Sequence, residues 1–274
     1  MIYKMKKNLA VLIAHYNNIK GLEESIKSID EPFDIDIIIV DDGSISKPDK
    51  SHLIQFYNNG EIYIAFLDKN EGVGVASNRA LEIAQEMGYY FLGRLDCGDI
   101  CYKNKFKKQL EYLNNNPDIK LLGTWARVVD HQDEVLHMIK HPVRYADIKK
   151  KMYLNSMFLN PTVVFRADIL DTVGNYPLKY KRASQDYAFF FKVIKHFKAE
   201  NFPEVLMDYK VEEHSISTRN RKIQVKNRLH IVLDNFYIGI YPILGLFRGS
   251  ILYLFPRKAT TYIKKIKHRN TRSI

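Results

Sequence analysis

Apolar positions in the first hundred residues switch between two spacings. Residues 9–14 form a short apolar run, as a buried strand does. Residues 19–29 then place Leu22, Ile26 and Ile29 at helical spacing. Residues 36–40 (DIIIV) are continuous and β-branched, the pattern of a strand covered on both faces. Residues 61–67 predict a third strand, 75–87 a helix closed by Gly88, and 89–95 a fourth strand. Residues 103–114 predict a polar helix ending in an Asn run before Pro117. This order of strands interleaved with helices predicts an α/β fold, with a mainly parallel sheet and helices on both faces. Ligands of such sheets lie beyond the carboxyl ends of the strands, so the polar groups there are the candidates for chemistry.

The second half is less regular. Residues 119–129, 134–139, 161–166 and 205–211 read as strands, and 186–197 and 222–235 as helices. Residues 231–255 are strongly apolar and aromatic, but Asp234, Pro242 and Arg248 interrupt them, together with three glycines. A bilayer-spanning helix needs about 20 apolar residues with few charges. The run therefore reads as an element lying in a membrane surface, or as a C-terminal helix packed on the domain. The chain divides into residues 1–220 and a helical, apolar and basic region over 221–274.

Composition sharpens this picture in three places. The net charge of +11 favours an anionic partner. Its uneven part is the tail, where Arg257, Lys258, Lys264, Lys265, Lys267, Arg269 and Arg272 stand without an acidic neighbour. No nucleic-acid recognition motif accompanies the charge. Cys97 and Cys101 lack a second pair for zinc and make no disulfide scaffold, so they read as reduced thiols. The N-terminal apolar run is too short for a signal peptide.

Five groups of residues carry candidate chemistry. Asp41-Asp42-Gly43-Ser44 follows the DIIIV strand, where paired carboxylates can accept from a base or ribose; an ordinary Asp-Gly turn is the alternative. Residues 70–77 (NEGVGVAS) half match a dinucleotide fingerprint, with Asp96 about 20 residues on. That reading would make an NAD-dependent oxidoreductase, and it gives Asp41 and Asp42 no task. Arg79 meets a phosphate there or is a solvated charge. Asp96 and Asp99 stand three apart on a turn after the fourth strand and can hold a divalent cation through oxygen. Alternatively, Asp99 caps a helix and Asp96 pairs with Arg94. Asp186 opens the aromatic helix, as a general base or as a carboxylate favoured by the helix dipole. His214 is a metal ligand, a phosphate contact or neither.

Taken in order, AHYNN, IIIVDDGS, NEGVGVASNRAL, RLDCGDI, PTVVFRADILDTVGNY and ASQDYAFFF resemble the inverting family-2 glycosyltransferases, over roughly residues 9–217. The resemblance implies a GT-A fold, a nucleotide-diphospho-sugar donor, most commonly a UDP-sugar, and Mn²⁺ or Mg²⁺. It places His15, Tyr16 and Asn17 in the nucleotide pocket, Asp42 on the nucleotide and Asp41 in support of the turn. It gives Asn70, Gly72 and Arg79 the shaping of the donor site, begins the metal motif at Asp96, with the metal held by Asp96 and Asp99, by Asp96 alone or weakly, and gives Asp186 the role of base. Gly98 departs from the family's Asp-x-Asp metal motif. Gln185 stands where an acidic residue is common, which removes a like charge and should let Asp186 ionise more easily. The implied acceptor is a glycan or a lipid-linked hydroxyl in surface-polysaccharide or lipopolysaccharide synthesis. With it comes a peripheral place on the cytoplasmic face of the membrane. A non-catalytic nucleotide-sugar-binding homologue is the competing reading.

Overall fold

In the computed structural model, residues 7–180, 183–211 and 221–254 are described. The expected opening order is present. Strand β1 (Lys7–His15) leads to α1 (Ile19–Lys27), and β2 (Asp36–Asp41) to a short α2 (Lys50–Leu53). Then come β3 (Ile62–Phe66), α3 (Val73–Met87), β4 (Tyr89–Arg94), β5 (Ile100–Cys101) and α4 (Lys105–Asn115). The remainder runs β6 (Ile119–Val129), β7 (Val135–Ile139), α5 (Tyr145–Lys151), β8 (Val164–Arg166) and α6 (Leu170–Val173). It continues with α7 (Gln185–His196), β9 (Lys198–Lys210), α8 (Arg221–Asp234) and α9 (Ile240–Leu254).

The strands form one sheet in the order β3-β2-β1-β4-β8-β6-β9-β5, with β7 on β6. The parallel expectation holds for β3, β2, β1 and β4. Beyond β4 the sheet is mixed: β8 is antiparallel to both β4 and β6, while β6 and β9 are parallel. Period-two alternation explains why helices cover both faces. Ala10 and Leu12 of β1 join one core with α3 and the α7 phenylalanines; Leu9, Val11 and Ile13 join the other with α1 and α4.

Three elements differ from expectation. The last strand begins at Lys198, well before residue 205. Its polar opening is tolerated because Asn201 donates to the carbonyls of Pro142 and Met157, at 2.8 and 2.9 Å. Pro203, which has no N–H to give, falls in a register shift of the β6–β9 ladder. Residues 160–162 form a 3₁₀ turn, which shortens the strand expected from 161. The two-residue β5 has too few side chains to carry any periodicity.

The apolar C-terminal run is broken into a hairpin. Helix α8 ends at Asp234, which pairs with Lys179 at 2.6 Å, and α9 turns back along it. The hairpin closes tightly: a Cβ on Gly249 would lie 2.5 Å from Leu229, and one on Gly245 2.2 Å from the Tyr153 carbonyl oxygen. Among the described residues no helix is long and apolar enough to cross a membrane. The basic tail and Phe255 lie outside the described residues.

Candidate active site

At the carboxyl ends of β1 and β2, a turn is built from inside the protein. His15 and Asp41 are buried and joined, Nδ1 to Oδ1, at 2.7 Å. The Asn18 N–H donates to His15 Nε2 at 3.2 Å, which leaves the proton on Nδ1 for Asp41. Ser44 N–H donates to the other Asp41 oxygen at 3.0 Å. Burial pushes the Asp41 carboxyl up, but its bonds from Ser44 and His15 outweigh that and hold it below the usual range. Asn17, with φ 49°, donates from its N–H to Ser44 Oγ and accepts from the Ile45 N–H, both at 2.9 Å.

Asp42 turns the other way. Its two oxygens accept the N–H groups of Glu71 and Gly72, at 2.8 and 2.9 Å. This clamp brings the 69–72 loop against the β2 turn so closely that a Cβ on Gly43 would lie 2.4 Å from the Lys69 carbonyl carbon. It also argues against the dinucleotide reading, because backbone donors that such a loop would aim at a pyrophosphate are held by Asp42.

Beside this turn lies an open cleft of about 350 Å³. Asp96, Asp99 and Asp186 all line it, with Gly98, Asn160 and Gln224 among the other walls. Helix α1 holds the Asp96–Asp99 turn: Ser25 Oγ accepts the Gly98 N–H and donates to the Asp99 carbonyl, each at 2.9 Å. Gly98 adopts φ +96°, a conformation that side-chain-bearing residues rarely take.

The three carboxylates are electrostatically crowded. Burial raises Asp96, Arg94 and an Asn160 hydrogen bond oppose it, and Asp186 adds to it. Burial and then Asp96 raise Asp99 well above the ordinary range, although the Lys210 N–H donates to its Oδ1 at 2.9 Å. Asp99 thus accepts from the end of the last strand, which the helix-cap alternative did not include. Burial also raises Asp186, against the Tyr187 N–H and the charges of Arg228 and Arg94. Gln185 adds no like charge beside Asp186, and it is burial that holds this carboxyl above the ordinary range.

The residues present suit a hard divalent cation. Asp99 Oδ2 is buried and has no hydrogen-bond partner among the described residues, and Asp96 keeps its side chain 40% exposed. An all-oxygen pair of this kind would hold Mg²⁺ or Mn²⁺ with further oxygens from a phosphate-bearing ligand. Gly98 adds no carboxylate, and no cluster of three or more metal-ligating side chains occurs among the described residues.

The structure brings together Asp96, Asp99 and Asp186 in the cleft, with His15, Asn17, Asp41, Asp42 and Gly72 in the adjoining turn. Tyr16 is exposed at the end of β1, and Asn70 lies exposed on the clamped loop. Arg79 is not brought in. It runs along the outside of α3, paired with Glu82 at 3.2 Å and Glu86 at 3.8 Å, because that helical position faces solvent. His214 lies outside the described residues. Asn18, Asn160, Tyr209, Lys210 and Gln224 line the cleft without having been singled out. Asn160 stood just before an apolar strand pattern, and Gln224 in a distant helix; neither carries a local signal. Cys97 and Cys101 are free thiols.

Because Asp99 binds more proton in the folded than in the unfolded chain, its ionisation lowers stability as pH rises from the normal carboxylate range through its raised value. Asp99→Asn keeps an acceptor for the Lys210 N–H. In chelator-treated buffer its Tm should match wild type at about pH 4 and exceed it by several degrees at about pH 8. A difference in Tm that does not change with pH would contradict this account.

Comparison with known proteins extends these observations. The family described as "Glycosyl transferase family 2" matches residues 10–174, more than half of the chain. An uncharacterized glycosyltransferase of Methanocaldococcus jannaschii is 29% identical, over 97% of this chain and 94% of its own length. The amylovoran biosynthesis glycosyltransferase AmsE of Erwinia amylovora is 27% identical, over 89% and 91%. UDP-Gal:alpha-D-GlcNAc-diphosphoundecaprenol beta-1,3-galactosyltransferase of Escherichia coli is 24% identical, over 84% of each chain. Among solved structures, S. aureus TarS 1–349 in complex with UDP superposes with a TM-score of 0.64 at 18% identity, covering 88% of this chain and 70% of that one. The mannosyltransferase PcManGT of Pyrobaculum calidifontis, with GDP-Man and Mn²⁺, gives 0.62 at 13% identity, covering 96% and 80%. Fold likeness, motif order and the matched family agree on GT-A architecture, and the chain belongs to glycosyl transferase family 2.

Proposed function

We propose that this chain is an inverting transferase that moves a sugar from a UDP-sugar to a hydroxyl of a glycan or lipid-linked acceptor in surface-polysaccharide synthesis. The observation that carries the reading is the cleft in which Asp186, at the start of α7, shares one cavity with Asp96 and Asp99 at the end of β4. Asp186 takes the proton of the acceptor hydroxyl. Its raised affinity for protons, caused first by burial, makes it a better base once ionised. The acceptor oxygen attacks the anomeric carbon opposite the nucleotide, the bond to the diphosphate breaks, and the configuration inverts. Asp96 and Asp99 would hold a divalent ion, which when bound would supply positive charge for the leaving diphosphate. The Asp42 clamp and the buried His15–Asp41 pair keep the nucleotide side rigid in advance, which lowers the ordering cost of binding.

The UDP complex of TarS and the GDP-Man and Mn²⁺ complex of PcManGT support this donor and metal chemistry. AmsE and the E. coli galactosyltransferase, whose names give amylovoran biosynthesis and a diphosphoundecaprenol-linked sugar, support the acceptor class. The division at residue 220 then separates the transferase domain from a membrane-docking region. Its hairpin exposes Ile238, Ile240, Ile243, Phe247 and Leu254. Exposed apolar surface of this extent, in a chain whose sequence continues into basic residues, suits a peripheral place on the inner face of the cell membrane. Gly98 favours a second reading, donor binding without turnover.

Thermal unfolding with uridine, thymidine and guanosine diphosphates, each with and without Mn²⁺, tests the donor side. A metal-dependent rise in Tm is expected with UDP; no rise with any of them would remove the transferase reading. Asp186→Asn should leave that rise intact and reduce sugar transfer by about 10²–10⁴-fold. Equal loss-free binding with no transfer in the wild type would instead establish the non-catalytic reading. The double substitution Ile238→Asp and Phe247→Asp should move the protein from sedimenting with anionic vesicles to the supernatant, with UDP binding unchanged; continued sedimentation would refute docking by the hairpin.

A further inference from the structure

Arg94, the last residue of β4, is among the largest fully buried side chains of the protein. Burying a guanidinium is costly unless its donors are used. Here they are used unevenly. Nη2 donates to Ser77 Oγ of α3 at 3.0 Å and stands 3.7 Å from Asp96 Oδ1. Nε and Nη1 have no hydrogen-bond partner among the described residues, and the Tyr176 ring lies 5.8 Å from the guanidinium carbon. Tyr176 is fixed in turn by Asn78, whose amide exchanges two hydrogen bonds with the Tyr176 backbone, at 2.9 and 3.0 Å. A fully buried, under-bonded cation directly behind the carboxylates of the cleft needs a purpose.

We propose that Arg94 is the positioning residue of the donor side: held from behind by Ser77, it orients the Asp96 carboxylate into the cleft for the metal and the donor diphosphate. The inference rests on the donor reading given above. With Gly98 supplying no second carboxylate at its place in the motif, the orientation of Asp96 matters more than in a site with redundant ligands. Arginine suits the position because its delocalised guanidinium keeps its charge when buried, with Nη2 between Ser77 and Asp96, whereas a buried lysine ammonium loses its proton more readily. The charge of Arg94 also acts on Asp186, so one buried cation serves both the donor and base sides of the cleft.

The test compares wild type with Arg94→Lys and Arg94→Met. Thermal unfolding measures UDP binding alone, then across a Mn²⁺ titration. Arg94→Met is expected to keep UDP binding without metal and to weaken the apparent Mn²⁺ affinity in the presence of UDP by at least about ten-fold, the scale of a lost outer-shell partner. Arg94→Lys should fall between the two. A merely structural arginine would lower Tm without moving the Mn²⁺ midpoint, so a folded Arg94→Met protein with a midpoint within about two-fold of wild type overturns the proposal. If Arg94→Met does not fold, Arg94→Lys decides alone, and a wild-type midpoint overturns it. Wild-type binding of UDP that ignores Mn²⁺ also overturns it while leaving the donor reading standing. Wild-type failure to bind UDP overturns both.

Discussion

Asp96, Asp99 and Asp186 occupy one partly desolvated cleft, and their like charges must be held together by the rest of the fold. Much of the local architecture answers that repulsion. Helix α1 ties down the Asp96–Asp99 turn through Ser25, the end of β9 gives the Lys210 N–H to Asp99, and β4 ends in the buried Arg94. α8 adds Arg228, the opposing charge that acts most strongly on Asp186. An arrangement that concentrates negative charge where a cation and a diphosphate are expected is strained in isolation and relieved by its ligand. Such crowding of carboxylates costs the folded chain stability, as a purely stabilising core would not.

The adjoining turn solves a different problem. His15, Asp41, Ser44 and Asn17 satisfy one another almost completely, so they give the β1–β2 end rigidity at little electrostatic cost. Asp42 then transmits that rigidity to the 69–72 loop through two backbone bonds. The two Asp residues of the same turn thus divide the work: one builds inward, the other reaches across.

The C-terminal hairpin belongs to both the site and the surface. At one end of α8, Gln224 lines the cleft and Asn227 donates to the Ala183 carbonyl at 2.8 Å, next to the segment that bears Asp186. At the other end the chain passes into the exposed apolar turn around Ile238. One element therefore both lines the cleft and carries the exposed apolar turn.

Apart from the short α2 and the two-residue β5, strand and helix order through α4 was legible in the sequence because period-two and helical apolar spacing are local properties, and so was the clustering of Asp41, Asp42 and Asp96 at strand ends. Asp186 was legible through its place at a helix start within an ordered set of motifs. The sequence by itself thus determined the α/β class, the family resemblance and the carboxylates of the cleft. Tertiary structure alone decided what each does to the others. It turned Asp41 inward onto His15, sent Arg79 to solvent, and gave Asp186 a raised proton affinity by removing water. It also set Arg94, Asn160 and Gln224 around the cleft from separate parts of the chain. Burial and charge proximity are sums over residues distant in sequence, and no local pattern contains them.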